Sequence, residues 1–196
     1  MKKILLFFVL LLFPLVVVNA DTTDKYYIEA TIKSNGDMEV KELKLLEGSY
    51  NGILTNLNYT NYGLQDFTGI LDDFEGSKIY NASALEDLKV YAIDSSDLSF
   101  TDILARATEF EKVSNANIGD YGKYVESITS TGIDLSIYMP SSYSKASLVI
   151  YTLKDVVVVH NDVAEIAWDF INDYEDDVNE VIITIKLPGN SEELRV

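Results

Sequence analysis

The chain has 196 residues, no cysteine, one histidine and a formal charge of −17 at neutral pH. Without cysteine it has no disulfide, no thiolate nucleophile and no lipid-modified cysteine behind a leader, so its core must hold alone. The acidic balance repels phosphate backbones, which sets aside nucleic-acid binding, and the lone histidine sets aside two-histidine zinc sites.

Residues 1–20 have the layout of a secretory signal peptide. Lys2 and Lys3 form the charged start, Ile4 to Val18 are apolar, and Val18-Asn19-Ala20 offers small side chains for cleavage between Ala20 and Asp21. The apolar stretch falls short of the roughly 20 residues of a spanning helix, and Pro14 interrupts it, so cleavage is expected over retention as an anchor. Residues 21–196 are then one extracytoplasmic domain, secreted or held on the outer face of the cell membrane. An exported chain of this size without disulfides points to a bacterium.

Residues 26–33 alternate, with Ile28, Ala30 and Ile32 on one face; Asn35-Gly36 follows, and Met38 and Val40 resume the pattern. This predicts a hairpin closed by a type I′ turn. The apolar parity then shifts to Leu43 and Leu45, which predicts a bulge or bend. Residues 48–76, rich in Asn, Gly, Thr and Asp, read mostly as loops. Leu88, Val90 and Ala92 mark a strand, and the spacing of Phe100, Ile103, Leu104 and Ala107 predicts a short helix over 98–110.

Ile133, Leu135, Ile137 and Met139 alternate up to Pro140, and the apolar runs 148–153 and 156–159 suit buried strands. Ile166, Trp168 and Phe170 share a face of the next segment; Val181, Ile183, Ile185 and Leu187 share one in the last, before Pro188-Gly189. The fold class is therefore all-β with minor helix: an antiparallel β-sandwich, immunoglobulin-like in architecture, with a barrel as the alternative.

Few side chains point to chemistry. Glu165 and Asp169 would share one face of a strand, a candidate acidic pair for glycan hydrolysis. Their Cα atoms would lie about 13 Å apart at ~3.3 Å per residue, against carboxyl separations of roughly 5–9.5 Å in glycosidases, so a solvated pair is the favoured reading. Asp173, Glu175, Asp176 and Asp177 form an acidic turn, as do Asp72, Asp73 and Glu75. Oxygen ligands suit calcium, but neither run has EF-hand spacing, and a solvated loop is favoured. His160 reads as a strand-end residue and Trp168 as a core plug. Tyr59, Tyr62, Tyr121, Tyr124, Tyr138 and Tyr143 offer a sugar platform, or simply good strand formers, the favoured reading.

Several short matches carry a resemblance: Asn35-Gly36-Asp37 leading to Val40 and Glu42, Tyr50-Asn51-Gly52-Ile53, Ile118-Gly119-Asp120, the run Asn161 to Asp169, and Val181 to Pro188. On these the chain resembles the N-terminal domain of a family of predicted bacterial membrane proteins, domain of unknown function 2207. It departs from the family pattern in an extra Val163-Ala164 and in the acidic stretch Tyr174 to Asp177. The resemblance implies an extracytoplasmic β-sandwich followed by transmembrane helices and a low-complexity tail, so the sequence is expected to be part of a longer protein. It implies no activity.

Together these readings favour a non-enzymatic binding or assembly module that needs no cofactor, its partner a cell-surface protein or glycan. Contact with the membrane would come through the N-terminal signal or through segments beyond Val196. The alternatives are a cell-wall glycan hydrolase using Glu165 and Asp169 and a calcium-stabilised adhesion module.

Overall fold

The computed structural model describes residues 22–59, 81–93, 99–159, 164–171 and 178–189. Their strands are β1 (Thr22–Ile32), β2 (Met38–Glu47), β3 (Ile53–Asn58), β4 (Leu85–Ile93), β5 (Ala107–Glu109), β6 (Glu111–Lys112), β7 (Lys123–Ile128), β8 (Gly132–Tyr138), β9 (Ala146–Leu153), β10 (Val158–Val159), β11 (Ala164–Glu165) and β12 (Val178–Lys186). Two sheets face each other, one ordered β12-β1-β2-β9-β4-β5 and one β3-β8-β7-β6, while β10 and β11 form a small ribbon. The alternating residues Ile28, Ala30, Met38, Val40, Val149 and Leu153 of the first sheet meet Leu57, Tyr124, Leu135 and Ile137 of the second in one buried cluster. Each such aliphatic side chain removed from water contributes about 1.5–3 kcal/mol. The fold is an all-β sandwich, with two parallel pairings, β1 with β12 and β6 with β7, among antiparallel ones.

The first hairpin forms where alternation places it, with Ile32 opposite Met38, but its turn is longer than a type I′ turn allows. Gly36 N–H donates to Lys33 O at 3.0 Å and Lys33 N–H to Asp37 O at 2.8 Å, with Gly36 at φ +89°. That is a type I turn followed by a glycine bulge. Asp37 explains the extra residue: its Oδ2 accepts from the Asn35 amide at 2.8 Å and its Oδ1 from Asp155 N–H at 3.2 Å, and Lys154 pairs with it. The turn is thereby pinned to the segment that follows β9.

No bulge interrupts β2 after Val40. It pairs with β9 without a break from Met38–Leu153 to Leu45–Ala146, and the irregularity lies in β1, between Thr23 and Lys25. The parity shift has another cause: both faces of β2 are covered. Met38 and Val40 pack between the sheets, whereas Leu43 joins Tyr91, Ile93, Ile103 and Leu148 in a second cluster on the outer face. The cover includes Phe100 and Ile103 of a segment with one 3-10 turn, Ile103–Arg106; that turn and β5, which adds to the sheet edge beside β4, replace the helix predicted over 98–110.

Residues 53–58, predicted as loop, form β3 against β8. Only Ala164–Glu165 of the next predicted strand is in a ladder; Ile166, Trp168, Phe170 and Ile171 nevertheless pack on the main core from irregular backbone. The last strand is present but its apolar face is not buried. Val181, Ile183 and Ile185 are between 39% and 48% exposed, as is Ile182 on the other face, because β12 is an outermost strand of the six.

Candidate functional site

Among the described residues, charged side chains are buried in three places, and each is held by internal partners. Between the sheets, β2 turns Glu42 and Lys44 inward, both buried. Glu42 Oε2 accepts from the Tyr26 hydroxyl and Oε1 from the Tyr151 hydroxyl, each at 2.6 Å. Burial, and then the Glu42 charge beside it, push the Tyr151 phenol well above its ordinary value. Lys44 lies 4.6 Å over the Tyr26 ring and donates to Thr55 Oγ1 of the opposite sheet at 3.0 Å. Among the described residues no buried side-chain nitrogen or oxygen lacks a partner. The cluster is a satisfied polar network in the core.

On the outer face, Glu29 of β1 accepts from Lys186 of β12 at 2.6 Å and from Lys41 of β2 at 3.2 Å. Burial alone raises a carboxyl, and here the two lysines outweigh it and hold Glu29 below its ordinary value. At the hairpin, the hydrogen bond from Lys154 lowers Asp37 against a smaller opposing effect of burial. Sequence reasoning missed Glu42, Lys44 and Glu29. Their signal was present: Tyr26 and Tyr151 occupy inward positions on otherwise aliphatic strands, and buried phenols need acceptors.

An exposed aromatic surface lies where β8 ends and β7 begins. Pro140 starts a turn that is anchored by Ser141 N–H to Tyr50 O at 3.0 Å and by the Tyr50 hydroxyl to Ser144 O at 3.0 Å. The turn projects Tyr143, 66% exposed, onto Tyr121, with ring centroids 4.8 Å apart and planes 22° from parallel. Phe110 packs against Tyr121 in a T-shape, ring centroids 5.4 Å apart. Beside them is the Asn117–Asp120 turn. Asp120 N–H donates to Asn117 O at 3.0 Å, Gly119 sits at φ +94°, and Asn117 N–H returns to Asp120 Oδ2 at 3.1 Å. That backbone bond, with Lys123 second, lowers the Asp120 carboxyl. Ile118 is left at the tip, 84% exposed.

The other tyrosines divide. Tyr124 is buried in the core, Tyr59 packs on it, Tyr138 is half-buried, and Tyr62 is outside the described residues. Asp169 closes a local turn, its Oδ1 accepting Ile171 N–H at 3.1 Å, while the Glu165 side chain lies outside the described residues. So do Ala20 and Asp21, His160, Asp72, Asp73 and Glu75, and Asp173, Glu175, Asp176 and Asp177. Trp168 is half-buried against the core, as a plug would be.

Among the described residues no three His, Asp or Glu side chains are grouped to hold a metal ion, and no helix is long and apolar enough to cross a membrane. A comparison with curated proteins finds no match. Residues 22–196 match the family described as "Predicted membrane protein (DUF2207) N-terminal domain", a span that takes in both sheets, the Asp120 turn and the closing strand, and the chain belongs to that family.

Proposed function

We propose that this domain is a non-enzymatic binding module on the outer face of a bacterial membrane, and that the Tyr121–Tyr143 stack is its ligand-facing surface. The stack carries the reading. Tyr143, carried on an anchored turn and stacked on Tyr121, is held with its other ring face toward solvent, a rigid amphipathic surface at little entropic cost, while the acids Glu29, Asp37 and Glu42 are each committed to internal donors. The apolar face of a pyranose ring stacks on such a plane, so the ligand class is a cell-surface glycan. Membership in a family of predicted membrane proteins supports the location, as does the signal-like start.

The test is thermal melting of the protein against cell-wall glycan fragments, with divalent cations as a parallel series. A saturable rise in Tm with glycan is expected, since a ligand that prefers the folded state stabilises it by mass action. The shift should vanish in Tyr143→Ala and Tyr121→Ala while their ligand-free Tm values stay close to the parent's. A flat series removes the glycan reading and leaves a protein ligand. Hydrolysis of the fragments, abolished by a single carboxylate change, would make the domain an enzyme and overturn the proposal.

A further inference from the structure

We infer that the free edge of β12 pairs antiparallel with β12 of a second copy of this chain, joining two six-stranded sheets into one. The inference goes beyond the reading above and does not draw on the tyrosine stack. Among the described residues β12 is bound on one side only, by β1, and its other edge is paired with no strand. An outer strand of nine residues is a template for addition of another strand, and protected edges usually carry charge, proline or a bulge. Here residues 181–185 read Val-Ile-Ile-Thr-Ile, with neither charge nor proline.

The charges at its two ends select the partner. A twofold axis through Ile183 puts Glu180 opposite Lys186 of the other copy, Val181 opposite Ile185, and Ile182 opposite Thr184. Of the registers that keep like faces together, this one alone matches Glu180 to Lys186. On the outer face the result is a row of alternating sign. Lys25 already pairs with Glu180 at 3.4 Å, and Lys186 with Glu29 at 2.6 Å. Across the seam the order becomes Lys25, Glu180, then Lys186 and Glu29 of the second copy. On the inner face Val181, Ile183 and Ile185, which lie beside the buried Tyr26, Ile28 and Ala30, would close over their own counterparts.

The absence of cysteine gives a clean experiment, on the full chain in detergent solution. Ile183→Cys stands on the axis, opposite its own copy, where directly opposed Cα atoms at about 4.5–5.5 Å suit a disulfide. Val181→Cys alone does not, its own counterpart lying four residues along. Under mild oxidant the Ile183→Cys chain should form a covalent dimer at least ~10-fold faster than Val181→Cys, whose sulfurs are too far apart for a bond. In sedimentation the parent should be a dimer, Glu180→Lys and Lys186→Glu monomers, and the double exchange a dimer again. Each variant should show the parent's cooperative melt by circular dichroism, so that loss of the dimer is not loss of the fold. A parent that stays monomeric, or equal crosslinking at both positions, overturns the inference, whatever the outcome at Tyr121 and Tyr143.

Discussion

The Glu42 carboxylate and the Tyr151 hydroxyl, 109 residues apart in sequence, meet at 2.6 Å in the core between β2 and β9. With Tyr26 on the other oxygen, each lone acid oxygen has a phenol donor. Glu42→Leu takes the carboxylate acceptor away from both buried hydroxyls, and losing a buried hydrogen-bond partner costs about 1–3 kcal/mol. Glu42→Gln keeps one acceptor and offers a donor to the second phenol, so its loss should be smaller. Urea unfolding followed through Trp168 fluorescence measures both. A Glu42→Leu protein as stable as the parent would show that the network contributes nothing.

Acid should weaken the sheet at two known points. Glu29 and Asp37 both lie below their ordinary carboxyl values in the folded protein. Their contribution is therefore fully present above the unfolded values, near pH 4, and is lost as the pH falls through the lowered folded ones. Lys186 and Lys41 lose their shared acceptor, and Lys154 loses the hairpin. The urea midpoint is expected to drop as the pH falls below about 4, and Glu29→Gln should flatten that drop.

Gly132 opens β8 against the end of β3. A Cβ placed there would lie 2.2 Å from Leu57 O and 2.8 Å from Asn58 Cα, both backbone atoms that cannot swing aside. Gly132→Ala should therefore destabilise by about 1–3 kcal/mol through displaced strands, in the range of overpacked sites. Gly119→Ala makes a useful contrast, because nothing lies near its Cβ and only its positive φ resists substitution. Parallel thermal melts separate close approach from backbone strain.

The strands were legible where one face is buried and the other wet. Ile133 to Met139 and Ile28 to Ile32 alternate because the sandwich gives them an inside and an outside. Legibility failed where a second layer covers the outer face. Leu43 and Leu45 then satisfy one cluster while Glu42 and Lys44 face the other, so the strand resembles a broken pattern. It failed again at Phe100 to Ala107, where apolar spacing marks a flap lying on the sheet rather than a helix. The apolar run of β12 could be read as a strand but not as an edge, since pairing partners are set by residues distant in sequence. Of the candidate site, the tyrosines were visible as a class. Which two stack on each other at the surface depends on the turns at Pro140 and Asn117, which composition does not specify.

The parallel pairing of β1 with β12 sets how the domain bears a mechanical load. Both strands start at one end of the sheet, so the chain before Thr22 and the chain after Lys186 leave from opposite ends. Tension applied through those two connections pulls the strands past each other along their length. The rungs from Thr23–Val178 to Thr31–Lys186 then resist in shear, all at once, rather than opening one after another as in a zipper. Under a pulling force the first and last strands act as a clamp, and the resistance to extension is expected to collapse in one step when that single ladder ruptures.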